Sequence, residues 1–443
     1  MRGSRKKAVI ALFCTAVLLF STCFSTSAIE PIPDTSDAKS VYLWNVEHDK
    51  VIISRSDENV IFPASMTKIM TGLVAIDLVA DKLDDKVTIT KEMLSSKGTS
   101  MQLKAGEEIS YRDLLYAAIC GGFNDATTAL AAASAGSVDA FVLKMNQKAK
   151  ELGARNTNYT NPTGWHDDNM VTTLADTAII AKAAMKSELY VKVSSALSYT
   201  IEKTNLSDSF TVHNRNGLIG SHYAHGYYNK RAKGLIAGMT DEGGHCVATF
   251  FEDSGLKYLC IVMGANEVDG VVNSYKIANS LISHIVYYYG DITVLKKGDF
   301  VTSVPVRLAV TSDDTEFYML DCVTVTDISI FTPYNSASLQ NIEFKPYIFS
   351  DDLTAPIEKG QVIGGVDIFV DGVLRGNADL CASDNVDANR FLVAMSNAKN
   401  MLSSRRFIIF LIVFVILFLS YFAKYELNGL RKRSKKIKFD RIY

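Results

Sequence analysis

The chain has 443 residues, 48% of them hydrophobic and 21% charged, which excludes a disordered or fibrous polymer and leaves room for two folded domains. Its net charge of -2 conceals a split: both ends are basic, so the long stretch between them is acidic, which argues against a nucleic-acid partner. Of the seven cysteines, Cys14 and Cys23 lie near the start, and the odd, scattered remainder (Cys120, Cys246, Cys260, Cys322, Cys381) forms no disulfide framework and reads as small buried apolar residues.

In chain order, Arg2, Arg5, Lys6 and Lys7 precede an apolar run from Ala8 to Phe20, and the small residues Thr26-Ser27-Ala28 follow. This is the pattern of a signal peptide over residues 1–28, cleaved after Ala28, with an uncleaved anchor as the alternative. Ser40 to Ser54 alternates as a β-hairpin. Next comes the run Pro63-Ala64-Ser65-Met66-Thr67-Lys68-Ile69-Met70, which opens an apolar helix. A serine and a lysine three apart meet across one helical turn. A lysine whose pKa is lowered by burial and nearby positive charge is able to take the serine proton, and a helix N-terminus favours a developing oxyanion. The plain alternative is an N-cap serine followed by a surface lysine.

Apolar spacing of period 3.6 predicts helices over Tyr111 to Ile119, Asp125 to Ala133, Val138 to Leu152, Thr173 to Lys186 and Ser274 to Tyr288. Gly121-Gly122 breaks the pattern between the first two and leaves Asn124 on a loop at a helix start. Strands are expected from Lys233 onward, over Val247 to Phe251 and Lys257 to Met263, giving an α/β domain whose sheet is built from both of its ends. The histidines are dispersed, and His222 and His225 stand at i, i+3 without a third ligand, so neither a metal site nor a cofactor is expected.

After Gly290 the pattern changes to short strands: Val304 to Val310, Glu316 to Leu320, Ile342 to Tyr347 and Gln361 to Val370, with Asp371-Gly372 as a hairpin turn. These predict a small all-β domain over 291–380 and a linker over 381–406. Phe407 to Ala423 is apolar apart from Ser420 and reads as a transmembrane helix. The tail over 424–443 carries Arg431-Lys432-Arg433-Ser434-Lys435-Lys436, and the positive-inside rule places it in the cytoplasm and the rest outside the cell membrane. Nucleic-acid binding by this tail is the alternative reading.

With these segments in view, the chain resembles the low-molecular-weight penicillin-binding proteins, D-alanyl-D-alanine carboxypeptidases of the S11 type. Beyond Pro63 to Lys68, the resemblance rests on Phe123-Asn124-Asp125-Ala126, Asn161-Pro162-Thr163-Gly164-Trp165, Thr173-Leu174-Ala175-Asp176 and His213-Asn214-Arg215-Asn216-Gly217-Leu218. It continues through Gly234-Leu235-Ile236-Ala237-Gly238-Met239-Thr240-Asp241 and Ala355-Pro356-Ile357-Glu358-Lys359-Gly360, all in order from about Asp37 to Leu380. The resemblance implies a β-lactamase/transpeptidase-like catalytic domain over 37–290 and a β-sandwich-like domain behind it.

It also implies Ser65 as nucleophile, Lys68 as general base and Asn124 as their partner, with Arg215, Gly238, Met239 and Thr240 binding substrate and no metal. Peptidoglycan stem peptides, and β-lactams as their mimics, are the implied ligands. Two of the family's three catalytic motifs are altered. In Ser-x-Asn the serine position is Gly122, and in Lys-Thr-Gly the lysine and threonine positions are Ile236 and Ala237. Losing the serine implies a rate loss of roughly 10²–10⁴. The Ile and Ala leave a substrate carboxylate facing apolar side chains, with Arg215 as the remaining cation. Lys233, three residues from Ile236 on a strand, points to the opposite face. The chain is therefore read either as an exported, membrane-anchored acyl-enzyme that trims stem peptides, or as an impaired relative that binds cell-wall peptide or a protein partner.

Overall fold

A computed structural model describes residues 32–439, except 57–59, 95–96, 221, 223–224, 312–316, 335–340 and 351. The expected signal peptide and the Glu316 end of one expected strand lie outside the described residues. The chain forms two compact units: residues up to Gly290 together with Phe331–Asn335, and Asp291–Ile330 with Ser336 onward.

In the first unit, strands β1 (Ser40–Asn45) and β2 (Lys50–Ser56) form the expected hairpin. Two short hairpins follow, β3 (Lys86–Thr88) with β4 (Glu108–Ser110) and β5 (Ser198–Ile201) with β6 (Phe210–His213). Strands β7 (Ala232–Thr240), β8 (Gly244–Asp253) and β9 (Leu256–Ala265) complete an antiparallel sheet in the order β2-β1-β9-β8-β7. Every residue of β1 is buried because both faces of the sheet are covered. Tyr42 and Trp44 pack into a large cluster on one face, and Val41 and Leu43 into a second cluster on the other.

The first cluster is built around helix α1 (Thr67–Val79), which is apolar on nearly every side and correspondingly buried from Thr67 to Ile76. Around it stand α2 (Tyr111–Ile119), α3 (Asn124–Ala135), α4 (Val138–Leu152), α5 (Leu174–Lys186) and α6 (Glu188–Ser194). Ser110, Ser137, Thr173 and Ser187 each cap a helix by accepting a backbone N–H, from Asp113, Ala140, Asp176 and Tyr190 respectively. Asn124 is the first residue of α3 rather than a loop residue, with Phe123 as its extended N-cap. Helix α7 (Asn273–Tyr288) supplies Ile277, Ala278, Leu281, Ile282 and Ile285 to the second cluster.

The second unit is an antiparallel sheet of β10 (Phe300–Val306), β11 (Tyr318–Thr324), β12 (Ile342–Ile348), β13 (Val362–Val370) and β14 (Val373–Ala382), in the order β10-β11-β14-β13-β12. Its core gathers Val306, Leu320, Cys322, Val366, Ile368 and Leu380. Asp371 and Gly372 both have positive φ, at 50° and 75°, as the expected two-residue turn between β13 and β14 requires. The strand expected over Val304 to Val310 lies instead at Phe300–Val306, because Phe300 to Val306 is the stretch that pairs with β11. The stretch read as a connector contains helix α8 (Arg390–Ser403), whose N-cap Asn389 accepts from Phe391 and Leu392 N–H. Helix α9 (Arg405–Phe439) follows, and its segment Arg405–Asn428 is, among the described residues, the one helix long and apolar enough to cross a membrane.

Candidate active site

Ser65 lies in a short 3₁₀ turn, Ala64–Met66, directly ahead of α1. Ala64 adopts φ 46°, a left-handed conformation that costs a non-glycine residue about 1 kcal/mol or more and is held here by its surroundings. Lys68, one turn into α1, is 1% exposed, and its Nζ donates to the Thr163 carbonyl at 2.7 Å. Burial, reinforced by the charge of Arg215, lowers Lys68 from the ordinary lysine value to about 7. A buried amine with that affinity for protons is able to exist as a free base near neutral pH.

The carbonyl that receives Lys68 is set by a side-chain clasp. Asn161 Oδ1 accepts from Thr163 N–H at 3.1 Å, Thr163 Oγ1 at 2.9 Å and Gly164 N–H at 2.9 Å, while its Nδ2 donates to the Trp165 carbonyl at 2.9 Å. Asn124 donates to the Lys97 carbonyl at 2.6 Å, and its Oδ1, buried, has no protein partner. The next residue, buried Asp125, receives Ser100 Oγ at 2.6 Å, Met101 N–H at 3.1 Å and Leu103 N–H at 3.2 Å, and so folds the segment carrying Gly98 and Thr99 onto the site.

Strand β7 is an edge of the sheet and passes close to the serine. A Cβ on Gly238 would stand 2.3 Å from Ser65 Oγ and 2.5 Å from Ser65 Cβ, so only glycine permits this approach. Ala237, Gly238, Met239 and Thr240 line the pocket, with Met239 half-exposed. Ile236 does not line it: at 3% exposure it packs among the helices of the first cluster. Lys233 is bound to Glu252 at 2.8 Å and does not line the pocket; a register shift in β7 separates it from Ile236.

Asn214 and Asn216 tie the segment after β6 in place. Asn214 Nδ2 donates to the Ser194 and Ala196 carbonyls, and Asn216 Nδ2 to the Gly234 carbonyl at 3.1 Å. Arg215, between them, reaches the same pocket as Ser65, Lys68 and Asn124. All seven residues singled out from the sequence thus line one cavity of about 290 Å³. Sequence reasoning gives no site role to Gly98, Thr99 or Trp165, which also line the pocket; of these only Trp165 lies in a run the sequence singles out, Asn161 to Trp165. Among the described residues no group of three or more His, Cys, Asp or Glu side chains is placed to hold a metal ion.

Residues 26–267 match the family model for D-alanyl-D-alanine carboxypeptidase, and residues 289–388 the model for the C-terminal domain of penicillin-binding protein 5. The D-alanyl-D-alanine carboxypeptidase DacF of Bacillus subtilis is 28% identical over 363 residues, covering 80% of this chain and 87% of that protein. DacC of Escherichia coli, of the same description, is 28% identical over 384 residues, covering 84% and 90%. Among solved structures, penicillin binding protein 5 from Haemophilus influenzae superposes with a TM-score of 0.56 at 24% identity, covering 81% of this chain and 100% of that one. The chain belongs to the D-alanyl-D-alanine carboxypeptidase family, the low-molecular-weight penicillin-binding proteins of the S11 type, and has that family's fold with its C-terminal β-domain.

Proposed function

We propose that this protein is a membrane-anchored serine carboxypeptidase that removes the terminal D-alanine from peptidoglycan stem peptides through an acyl-enzyme on Ser65. The observation that carries this reading is that Ser65 and a buried Lys68 of lowered proton affinity line one pocket. The stem peptide lies extended along the free edge of β7, an arrangement that edge strands favour. Ser65 Oγ attacks the carbonyl carbon of the penultimate residue while Lys68 Nζ takes the hydroxyl proton. The backbone N–H groups of Ser65 and Met239 receive the oxyanion, and Asn124 Oδ1 accepts a hydrogen bond from the peptide. The C–N bond then breaks, Lys68 returns its proton to the leaving D-alanine nitrogen, and water hydrolyses the ester. Arg215 holds the terminal carboxylate, and Thr240 and Gly238 line its approach.

β-Lactams acylate the same serine. Prolonged exposure of the purified protein to a β-lactam is expected to give one adduct by intact-mass spectrometry, absent in Ser65→Ala. An unmodified wild type after hours refutes the acyl-enzyme. It leaves the second reading, a peptide-binding relative, which the apolar Ala237, Met239 and Trp165 in the pocket favour. For location, helix α9 spans the membrane with the basic tail inside and both folded units outside. Protease added to intact cells should remove the folded units and spare a tag placed after Tyr443; loss of the tag refutes this orientation.

A further inference from the structure

Gly122 and Arg215 occupy one space. Gly122 has φ 67°, and a Cβ built on it would stand 2.9 Å from Arg215 Cδ, 3.7 Å from Cγ and 3.9 Å from Cβ. The stem of the arginine therefore lies where any side chain at position 122 would be. Its backbone is fixed independently: Arg215 N–H donates to the Cys120 carbonyl at 3.0 Å, and its own carbonyl accepts from Tyr275 Oη at 3.2 Å. With the asparagines on either side also bonded, a side chain at 122 would displace the arginine's side chain rather than its main chain.

The elements around Lys68 present a carbonyl from Thr163, an amide from Asn124, the glycines 98, 122, 164 and 238, and one charge. Among the described residues no carboxylate lines the pocket, and Arg215 is the only lining cation other than Lys68 itself. Ile236 is core and does not line the pocket, and Lys233 is engaged with Glu252.

We propose that Gly122 and Arg215 act as one device, in which the bare glycine makes room for the arginine stem and so sets its guanidinium in the pocket that holds Lys68. Arg215 is in this respect a positioning residue, acting through Lys68. The two departures from the family's motifs are then linked: with no cation at 236, the charge beside the base comes across the space that a serine at 122 would fill. The lowered proton affinity of Lys68, with Arg215 as its second cause after burial, agrees with this. The proposal builds on the reading of Lys68 as the base, but its test needs no turnover.

Trace labelling of the full-length protein with acetic anhydride across pH, read by mass spectrometry on the Lys68 peptide against unfolded protein, gives the Lys68 midpoint directly. Arg215→Gln is expected to raise the midpoint by about one pH unit, within the usual effect of a nearby charge. Arg215→Lys should keep it near the wild-type value. Gly122→Ser should raise it by a similar amount by displacing the stem, and the double variant Gly122→Ser/Arg215→Gln should raise it no further than either alone. An unchanged midpoint in Arg215→Gln, or shifts that add in the double variant, overturns the proposal. Unaltered tryptophan fluorescence in each variant shows that the fold is kept. If Gly122→Ser fails that check, Gly122→Ala serves in its place, and the Arg215 variants decide the charge by themselves. A shifted midpoint in a protein that forms no acyl-enzyme would support the device and refute the proposed reaction, so the two fail separately.

Discussion

Lys68→Met removes the charge of the buried lysine and keeps an unbranched side chain one atom shorter. Unfolded, the lysine holds its proton to about pH 10.5; folded, it releases it near 7. Between those values the unfolded state binds one more proton than the folded state, so stability rises with pH. A depressed lysine thus costs stability in full below pH 7, and the cost disappears as pH climbs towards 10.5. The interval corresponds to roughly 5 kcal/mol, gained at about 1.4 kcal/mol per pH unit. Methionine makes no hydrogen bond to the Thr163 carbonyl, a loss of about 1 kcal/mol that does not depend on pH. The variant is therefore expected to be several kcal/mol more stable than wild type at pH 6, with its advantage shrinking through pH 7 to 9. Urea unfolding followed by tryptophan fluorescence reads the first unit alone, since the chain's two tryptophans, Trp44 and Trp165, both lie there. A stability difference that stays flat from pH 7 to 9 would show that folded Lys68 keeps its proton, and would remove the base from the proposed reaction.

Gly238→Ala should leave the fold intact yet lower β-lactam acylation of Ser65 at least a hundredfold, because its Cβ would fall 2.3 Å from the nucleophile; intact-mass time courses check this, and normal labelling would refute the close approach of β7. Ala237→Thr, which brings a hydroxyl to the pocket wall, is expected to raise D-alanine release from a stem pentapeptide roughly ten- to a hundredfold, the worth of one charge-assisted hydrogen bond felt in the transition state. Ile236→Lys should instead destabilise the protein by several kcal/mol, because the side chain it replaces is core; a gain in D-alanine release from Ile236→Lys with none from Ala237→Thr would reverse this assignment.

Much of the fold was legible because local signals and burial agree. The helix Val138–Leu152 was read to both ends, and Ser137 supplies the cap that marks its start. Helix α6 is not legible in the sequence because its seven residues show less than two full periods and its N-cap, Ser187, is also the C-cap of α5. Helix α8 lies in the stretch the sequence presents as a connector; its apolar residues Phe391, Met395 and Met401 are exposed and form no buried stripe. The short pairs β3–β4 and β5–β6 span three and four residues a strand, too few for alternation to register.

At the site, what could be read was side-chain chemistry at fixed spacing, Ser65 with Lys68, and what could not was backbone and vacancy. The Thr163 carbonyl that receives Lys68 has no side-chain signature, and the clasp that aims it belongs to Asn161. The contact of Gly122 with Arg215 joins segments far apart in the chain, so Gly122 reads in the sequence as a helix break and a lost hydroxyl. In the folded chain it is an occupied position, filled from the other side by an arginine. That changes what restoring the family pattern would mean. Gly122→Ser at φ 67° meets both backbone strain and the arginine stem. Adding the serine back therefore does more than restore a hydroxyl; it sets a side chain against the stem of Arg215. A motif position that looks degenerate letter by letter is in this case one half of a steric pair, and its chemistry is judged only with the other half in place.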